Sequence, residues 1–326
     1  MVFQIVKFAV ISLLVVLIGA VILILSQRPK VLTDGQGLDF TQTLARTNEA
    51  PAPQIAVTMR DGFALQVREY PSSSPDVPLV VFVHGSGWHG VQFDALARKI
   101  SDRADVLVPD LRGHGAKPGV RGDISYIGQL EDDLADLIAA RRKDGQALIL
   151  AGHSSGGGLV VRFAGGPHGA QMDGAVLMAP FLKYDAPMTR PNSGGWAQVM
   201  VRRVIGLSIL NTFRIRALNH LTVIQFAMPR AVLDGPLGPT ATTAYSYRLN
   251  TSFAPRARYL KDVAALPRFV LIVGAMDEAF DAALYAPTMR EATDKGSYVI
   301  VPSIGHLDIV DAGQTQATLE RFLDDF

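Results

Sequence analysis

The 326-residue chain contains no cysteine, and charged residues make up only 19% of it. The lack of cysteine excludes disulfide bonds, thiolate metal sites and a cysteine nucleophile, but it does not identify the compartment. The low charge and a mean hydropathy of +0.22 indicate that part of the chain lies in lipid. A formal net charge of only +1 provides no overall basic field, so we expect no nucleic-acid partner.

The longest apolar run covers residues 8–25, FAVISLLVVLIGAVILIL, and Ser12 is its only polar residue. At about 1.5 Å per residue such a helix covers roughly 27 Å, which is close to the hydrocarbon thickness of a bilayer. A cleaved signal peptide is the alternative, but the run exceeds a usual signal core and no small-x-small cleavage site follows it. We therefore predict an uncleaved single-pass membrane anchor over residues 1–27.

The segments that flank this run give little information on its orientation. Lys7 precedes it and Arg28 and Lys30 follow it, so the positive-inside rule leaves the side open, with a lean towards an extracytoplasmic domain. Residues 28–54 then carry prolines and glycines among polar residues, which predicts a linker.

From residue 55 onwards, short apolar runs alternate with helical patterns, which predicts an α/β fold with a mostly parallel sheet and helices on both faces. Runs 55–59 and 63–70 flank Asp61-Gly62 and predict an opening hairpin. Six more strands are predicted, at 79–84, 105–109, 147–153, 174–180, 268–274 and 297–302. Helical patterns cover 92–101, 124–143, 155–164, 281–293 and 312–325. The domain 55–326 should therefore contain eight strands in one sheet.

About 85 residues separate the strand that ends near Phe181 from the strand that starts at Arg268, which is far longer than a usual connection. The segment is too apolar for a loop, so we predict a helical cap insertion at about 183–261. Within 183–258, ten basic residues stand against two acidic ones. The basic residues are Lys183, Arg190, Arg202, Arg203, Arg214, Arg216, Arg230, Arg248, Arg256 and Arg258. The near-neutral total therefore conceals a basic, apolar cap.

A G-x-S-x-G pattern, Gly152-His153-Ser154-Ser155-Gly156, follows the predicted strand 147–153 and opens a predicted helix. In this context the serine lies on a tight strand-to-helix turn, and its hydroxyl projects from the sheet edge. The glycines are needed because strand and helix approach too closely for a Cβ. The pattern alone arises by chance in glycine-rich chains, so the flanking strand and helix are what support it. We predict Ser154 as a nucleophile.

A serine hydroxyl needs an adjacent base, which a carboxylate orients. On this topology the acid and the histidine follow the serine, and only His168, His220 and His306 do so. His168 comes just after the helix of the nucleophile and His220 lies in the cap, where exposed or packing roles are expected. His306 directly follows the last predicted strand, so a short loop can turn it back over the sheet. We predict His306 as the base.

The orienting acid should also lie at the carboxyl edge of the sheet. Asp277 ends the stretch GAMD after the strand 268–274 and closes the triad. Glu278 and Asp281 are close enough to compete, although a helix N-terminus would also favour their charge. Asp185, after the preceding strand, is a less favoured position. We predict Asp277.

A developing oxyanion needs two preorganised N–H donors. One should be the backbone of Ser155, directly after the nucleophile. The other should come from the turn HGSGW after the strand 79–84, where we choose Ser86. His84 is expected to fix this turn by hydrogen bonding and to have no role as a base.

The same turn also reads as a dinucleotide motif, because residues 85–90 match G-x-G-x-x-G and Asp110 follows Gly90 by 20 residues. However, the motif follows a hairpin instead of opening the first βαβ unit, and it coincides with the required oxyanion turn. We therefore do not favour a nucleotide site. No H-E-x-x-H pattern and no P-loop occur in the sequence, and we expect neither a metal nor a cofactor.

Five motifs together resemble the α/β-hydrolase superfamily: HGSGW (84–88), DLRGHG (110–115), GHSSGG (152–157), GAMD (274–277) and GH (305–306). More narrowly, the D-x-R-G-H-G loop is similar to that of the serine-aminopeptidase-like and monoacylglycerol-lipase or lysophospholipase branch. In that branch the residue after the nucleophile is often Met, whereas here it is Ser155. The resemblance covers about residues 55–326 and implies an α/β-hydrolase fold, but it does not supply the substrate.

We therefore expect a membrane-anchored serine hydrolase of carboxylic esters. The basic, apolar cap suits an acyl pocket that faces anionic lipid, so monoacylglycerols or lysophospholipids are the expected substrates. An ordinary lid with solvated arginines is the alternative for the cap. For the whole chain the alternatives are an acyltransferase on the same triad, a peptidase of the aminopeptidase-like branch and, more remotely, a non-catalytic binding protein.

Overall fold

The computed structural model describes residues 1–32, 37–41 and 50–326. The predicted linker 28–54 therefore lies in part outside the described residues. The chain begins with helix α1, Val2–Leu25, which contains the predicted apolar run. Its mean hydropathy reaches 3.3, so its length and composition suit either a membrane span or a signal sequence.

The main sheet contains eight strands of the described chain, as predicted. They are β1 Gln54–Thr58, β2 Ala64–Tyr70, β3 Leu79–Val83, β4 Asp105–Asp110, β5 Leu148–His153, β6 Gly174–Met178, β10 Arg268–Gly274 and β11 Gly296–Val301. Their order is β1-β2-β4-β3-β5-β6-β10-β11. β2 pairs antiparallel with β1 and β4, and the other neighbours pair in parallel. The carboxyl ends of β3, β5, β10 and β11 consequently lie at one edge.

Burial explains why the central strands are recognisable in the sequence. Every residue of β3 and of β5 is buried, as in parallel strands that are covered on both faces. The main domain also contains helices α2 Asp94–Ile100, α3 Gln129–Arg141, α4 Ser155–Ala164, α8 Tyr259–Ala264, α9 Tyr285–Arg290 and α10 Gly313–Leu323. Helix α3 buries Leu130, Leu134 and Leu137, as their spacing predicts. The predicted helix 124–143 is therefore present but shorter.

The cap differs from the prediction of a helical insertion. It contains helices α5 Val201–Thr212, α6 Arg230–Leu233 and α7 Tyr247–Phe253. It also contains a three-stranded antiparallel sheet of β7 Ala197–Val199, β8 Thr222–Phe226 and β9 Ala244–Ser246. The cap therefore contains helices, as predicted, together with a small sheet that the sequence analysis did not predict. β7 and β9 have only three residues each, which is too short to leave a periodic pattern.

Helix α1 packs against helix α5 of the cap. Ala20 is buried there, and a Cβ at Gly206 would lie 2.5 Å from its carbonyl oxygen, so only glycine permits this approach. Arg203 Nε donates to the carbonyl oxygen of Ile24 at 3.2 Å, near the end of α1. In return, Gln27 Oε1 accepts a backbone N–H from the first turn of α5 at 2.8 Å. The cap therefore holds the apolar helix along its side and at its end.

Candidate active site

Ser154 lies on the predicted turn between β5 and α4. Its backbone has φ 54° and ψ −122°, a region that residues other than glycine rarely adopt. Close packing imposes this turn, because a Cβ at Gly156 would lie only 2.0 Å from the carbonyl oxygen of Val83 in β3. The serine side chain is thereby presented at the carboxyl edge of the sheet.

Ser154, His306 and Asp277 are joined by hydrogen bonds. His306 Nε2 lies 3.0 Å from Ser154 Oγ, and His306 Nδ1 lies 2.8 Å from Asp277 Oδ2. Because a carboxylate only accepts, Nδ1 carries the proton and the lone pair of Nε2 faces the serine hydroxyl. Asp277 and His306 are each only 2% exposed. This arrangement can take the proton of Ser154 as its oxygen attacks an electrophile.

The backbone that follows Asp277 orients its carboxylate. Its Oδ1 accepts the N–H groups of Ala279 and Phe280, each at 2.8 Å, which leaves Oδ2 for the imidazole. This local turn explains why an aspartate directly after β10 reaches the histidine.

The competing carboxylates have other partners. Asp185 is exposed and pairs with Lys183 at 3.0 Å. Asp281 accepts the N–H of residue 283 at 3.1 Å and so caps a short helical turn. This is the helix N-terminal role that the sequence analysis gave as its alternative. Glu278 accepts the backbone N–H of His306 at 2.8 Å, so it contacts the main chain of the histidine and not its ring.

A second histidine, to which the sequence assigned no role, supports His306. The Nε2–H of His153 donates to the carbonyl oxygen of His306 at 2.9 Å, and its Nδ1 accepts from Gln92 Nε2 at 2.6 Å. Gln92 Oε1 in turn accepts the N–H of Gly85 at 3.1 Å. Burial lowers the pKa of His153 well below its usual value, which keeps this ring neutral. The loop of His306 and the turn after β3 are therefore linked, although nothing in the sequence marks Gln92.

The two predicted oxyanion donors lie beside Ser154. The N–H of Ser155 belongs to the first turn of α4, where amides lack intrahelical acceptors. Next to Ser86, the N–H of Gly87 donates to Tyr245 Oη at 2.7 Å. Among the described residues, none accepts the N–H of Ser86 itself. Both donors border the same small cavity as Ser154, where they can bind a developing negative charge.

Two buried histidines hold the loops behind this turn. His84 accepts the N–H of Leu111 at Nε2, at 3.1 Å, and donates from Nδ1 to the carbonyl oxygen of Gly85 at 2.9 Å. Burial lowers the pKa of His84 to about 4, so the ring is neutral. His114 Nε2 accepts the hydroxyl of Tyr245 at 2.6 Å. His84 therefore has the turn-fixing contacts that the sequence predicts, and Tyr245 adds a link from the cap.

The other residues that the sequence singled out lie away from Ser154. His168 pairs with Asp132 at 2.8 Å, and His220 is exposed. Asp110 is buried and pairs with Arg68 at 3.0 Å, and it also accepts the N–H of the last glycine in the G-x-G-x-x-G pattern at 2.8 Å. This carboxylate is therefore used inside the domain, which argues against a ribose site.

Two cavities share Ser154, His306, Ser86 and Trp196 in their walls. The larger one, about 220 Å³, has mostly apolar walls that include Leu38, Phe40, Val91, Met228, Leu237 and Val310. The smaller one, about 60 Å³, is lined by aromatic side chains that include Phe181, Phe226, Phe253 and Phe280. A substrate at Ser154 therefore meets hydrocarbon on both sides.

Comparison with known proteins identifies the family. Residues 75–306, more than half of the chain, match the family model described as serine aminopeptidase, S33. The chain belongs to this family. It is an α/β hydrolase, in agreement with its sheet order.

Curated relatives of this α/β hydrolase differ in coverage. An uncharacterized protein of Mycobacterium tuberculosis is 31% identical over 87 residues, which are 27% of this chain and 25% of the relative. The match therefore spans about a quarter of that relative's length. A 2-(acetamidomethylene)succinate hydrolase of Mesorhizobium japonicum is 28% identical over 274 residues, 80% of this chain and 91% of the relative.

Solved structures of low identity share the fold. A soluble variant of the monoglyceride lipase of Saccharomyces cerevisiae is 16% identical with a TM-score of 0.63, over 86% of this chain and 96% of that chain. A membrane phospholipase A, described as a bacterial virulence factor, is 19% identical with a TM-score of 0.56, over 99% of this chain and 97% of that chain. At such identities the likeness shows the fold alone.

Proposed function

We propose that this α/β hydrolase is a membrane-anchored serine hydrolase that cleaves carboxylic esters of lipid-like substrates, such as monoacylglycerols or lysophospholipids. The hydrogen-bond chain from Asp277 through His306 to Ser154, with apolar cavities on either side, carries the proposal. A hydroxyl beside a neutral imidazole is an activated nucleophile, and an apolar cavity selects a substrate with a hydrocarbon chain.

In the proposed mechanism, His306 Nε2 takes the hydroxyl proton while Ser154 Oγ attacks the ester carbonyl carbon. The carbonyl electron pair moves onto its oxygen, which the N–H groups of Ser86 and Ser155 stabilise. His306 then gives the proton to the leaving alcohol, and Asp277 stabilises the imidazolium in between. Water attacks the acyl-enzyme by the same route, which releases the acid and restores Ser154.

The contact between α1 and the cap supports a retained anchor over a cleaved signal sequence. Removal of α1 would uncover the face of α5 that carries Gly206 and would take from Arg203 its acceptor on Ile24. Unpaired charged donors and uncovered apolar surface both destabilise a folded domain. The likeness to a membrane phospholipase A also extends over 99% of this chain.

The surface of the cap next to α1 supports a lipid substrate. Val201, Ile205 and Phe213 are exposed there, and so are Arg202 and Arg214. Apolar side chains beside arginines suit the boundary between acyl chains and anionic headgroups.

Not every cap arginine is available to lipid. Arg248 pairs with Asp123, and Arg256 pairs with Glu131 at 2.7 Å, so part of the basic charge is compensated by the main domain. The positive charge that the cap can present to lipid is therefore smaller than the excess of basic over acidic residues in its sequence.

Two other reactions use the same geometry. An acyltransferase would place an alcohol where water attacks. A peptidase would need carboxylates for a substrate amine, and Asp94 and Asp311 do border the larger cavity. However, Asp94 is bound to Arg98 at 2.8 Å and to Tyr70, so its charge is compensated, and Asp311 also has an interaction of its own. We therefore favour ester hydrolysis.

Fluorophosphonate labelling and p-nitrophenyl butyrate hydrolysis test the reaction on the purified full-length protein. Ser154→Ala should abolish both, whereas Ser101→Ala, a hydroxyl deletion at the end of α2, should abolish neither. Labelling retained in Ser154→Ala would move the nucleophile elsewhere.

A lipid-ester panel with and without anionic vesicles then tests the substrate class. Turnover of monoacylglycerol or lysophospholipid should rise on anionic vesicles. Activity that is restricted to short soluble esters and indifferent to vesicles would contradict a lipid substrate. Added alcohols and aminoacyl p-nitroanilides separate transferase and peptidase activity in the same assay.

A further inference from the structure

Residues 37–41, here called the strap, lie against the larger cavity, although the sequence predicts only a linker there. Leu38 and Phe40 line the cavity, and Phe40 is only 8% exposed. At Gly37 the backbone runs so close to the cap that a Cβ would lie 2.8 Å from the amide nitrogen of Trp196. The strap is therefore packed on the domain.

Hydrogen bonds hold the described chain on both sides of the strap. Before it, the backbone N–H and C=O of Lys30 pair with the side-chain amide of Gln225 in the cap, at 2.8 and 2.7 Å. After it, the N–H of Ala52 donates to Asp94 Oδ1 at 2.8 Å. A free tether would make none of these contacts.

The strap also contacts the residue that borders the oxyanion turn. The ring centroids of Phe40 and Trp196 are 5.7 Å apart, and Trp196 Nε1–H donates to Ser86 Oγ at 3.2 Å. Trp196 therefore contacts both Phe40 and the oxyanion turn, and all three border the larger cavity. An acyl chain whose carbonyl is bound at that turn and that extends into this cavity can contact both Trp196 and Phe40.

On its other side the strap is bonded to the loop of the histidine. The N–H of Asp39 donates to Glu278 Oε1 at 3.3 Å, and Glu278 Oε2 accepts the N–H of His306 at 2.8 Å. The position of the strap is therefore fixed relative to the reacting groups, as a specificity wall requires.

We propose that the strap is the distal wall of the acyl subsite and that Phe40 sets the preference for acyl-chain length. This inference rests on the proposed ester hydrolysis at Ser154. The strap lies outside residues 75–306, the part of the chain that the family model matches. The preferred substrates are then esters whose chains are long enough to contact Phe40.

The ratio of kcat/KM for p-nitrophenyl decanoate to kcat/KM for the butyrate tests the proposal. Each buried methylene contributes about fourfold to binding, so if Phe40→Ala uncovers two of them the ratio should fall about 15-fold. Phe40→Leu, which keeps part of the apolar wall, should give an intermediate ratio. Val31→Ala is the matched control in the same linker, because Val31 is 96% exposed, and it should leave the ratio unchanged.

The outcomes separate this inference from the proposed function. An unchanged ratio in both Phe40 variants would reduce the strap to a structural role. This includes the case in which kcat/KM falls equally for the two esters and fluorophosphonate labelling is slower. Wild-type protein that is not labelled at Ser154 would instead overturn the ester hydrolase itself, and the strap proposal with it.

Discussion

The hydroxyl of Tyr245 joins the cap to the oxyanion turn, and Tyr245→Phe removes that atom alone. In the structure the hydroxyl accepts the N–H of Gly87 at 2.7 Å and donates to His114 Nε2 at 2.6 Å. Burial raises the pKa of Tyr245, so the group stays protonated and keeps donating. Gly87 is the residue after Ser86, whose N–H is the proposed donor to the oxyanion.

The magnitude follows from what the variant leaves behind. Gly87 and His114 would each keep a buried polar group without a partner, which costs about 1–3 kcal/mol per group, so stability should fall by roughly 2–6 kcal/mol. Complete loss of one oxyanion donor lowers kcat about 10²–10³-fold, and a turn that is only displaced should lose about 10–100-fold. The loss should appear in kcat with KM little changed, because the charge exists only in the transition state.

The assay compares Tyr245→Phe with Tyr247→Phe, which deletes a nearby buried hydroxyl that contacts Ser208 at 3.0 Å instead of the turn. A trifluoromethyl ketone adds to a nucleophilic serine and forms an oxyanion, so its inhibition constant should rise by the same factor as kcat/KM falls. If Tyr245→Phe lowers the melting temperature but leaves kcat and the inhibition constant within about twofold of wild type, the tyrosine is structural only.

Two further predictions concern stability. Gly206→Leu should lower the melting temperature in detergent and expose the segment after α1 to protease, because a Cβ there would already lie 2.5 Å from the Ala20 carbonyl oxygen. Such overpacking typically costs about 1–3 kcal/mol of stability. The matched substitution Gly313→Leu, at a position with open space around it, should have only a mild effect. An equal effect at both glycines would contradict the packing of α1 on the cap. Burial depresses the pKa of His84 to about 4 in the folded protein. The neutral ring therefore contributes about 3 kcal/mol to the free energy of unfolding above pH ~6.5, and this contribution is lost as the pH falls towards 4. Urea unfolding at pH 7 and 4.5 should therefore show a smaller pH difference in His84→Gln, and an unchanged difference would contradict a neutral buried ring.

Much of the main domain was predictable from the sequence because its central strands are buried on both faces. Such strands are continuous apolar runs, and the residues directly after them must lie at one edge of a parallel sheet. That rule brings Ser154, Asp277 and His306 together from distant parts of the chain, and they lie within hydrogen-bonding distance of one another. Their catalytic roles stay a prediction until the serine is tested.

The contacts that support the site were not predictable, since they join short segments without a pattern of their own. The bond from Glu278 to the N–H of His306 depends on the path of a loop, and the links from Gln92 and Tyr245 depend on which turn each element faces. β8 illustrates the same limit, because TVIQF is a short apolar run that fits a helix or a strand equally well.

The strap changes what a minimal form of this hydrolase must contain. A protein that began at β1 would keep the hydrogen-bond chain of Ser154 but would lose Leu38 and Phe40, which border the larger cavity. It would also lose α1, whose end Arg203 binds, so the cap that carries Trp196 would lack a neighbour. We infer that such a truncated protein would retain turnover of short esters but would no longer discriminate between acyl-chain lengths. The reason is that the reacting groups and the strap, which we propose contacts the distal end of the acyl chain, come from different parts of the sequence.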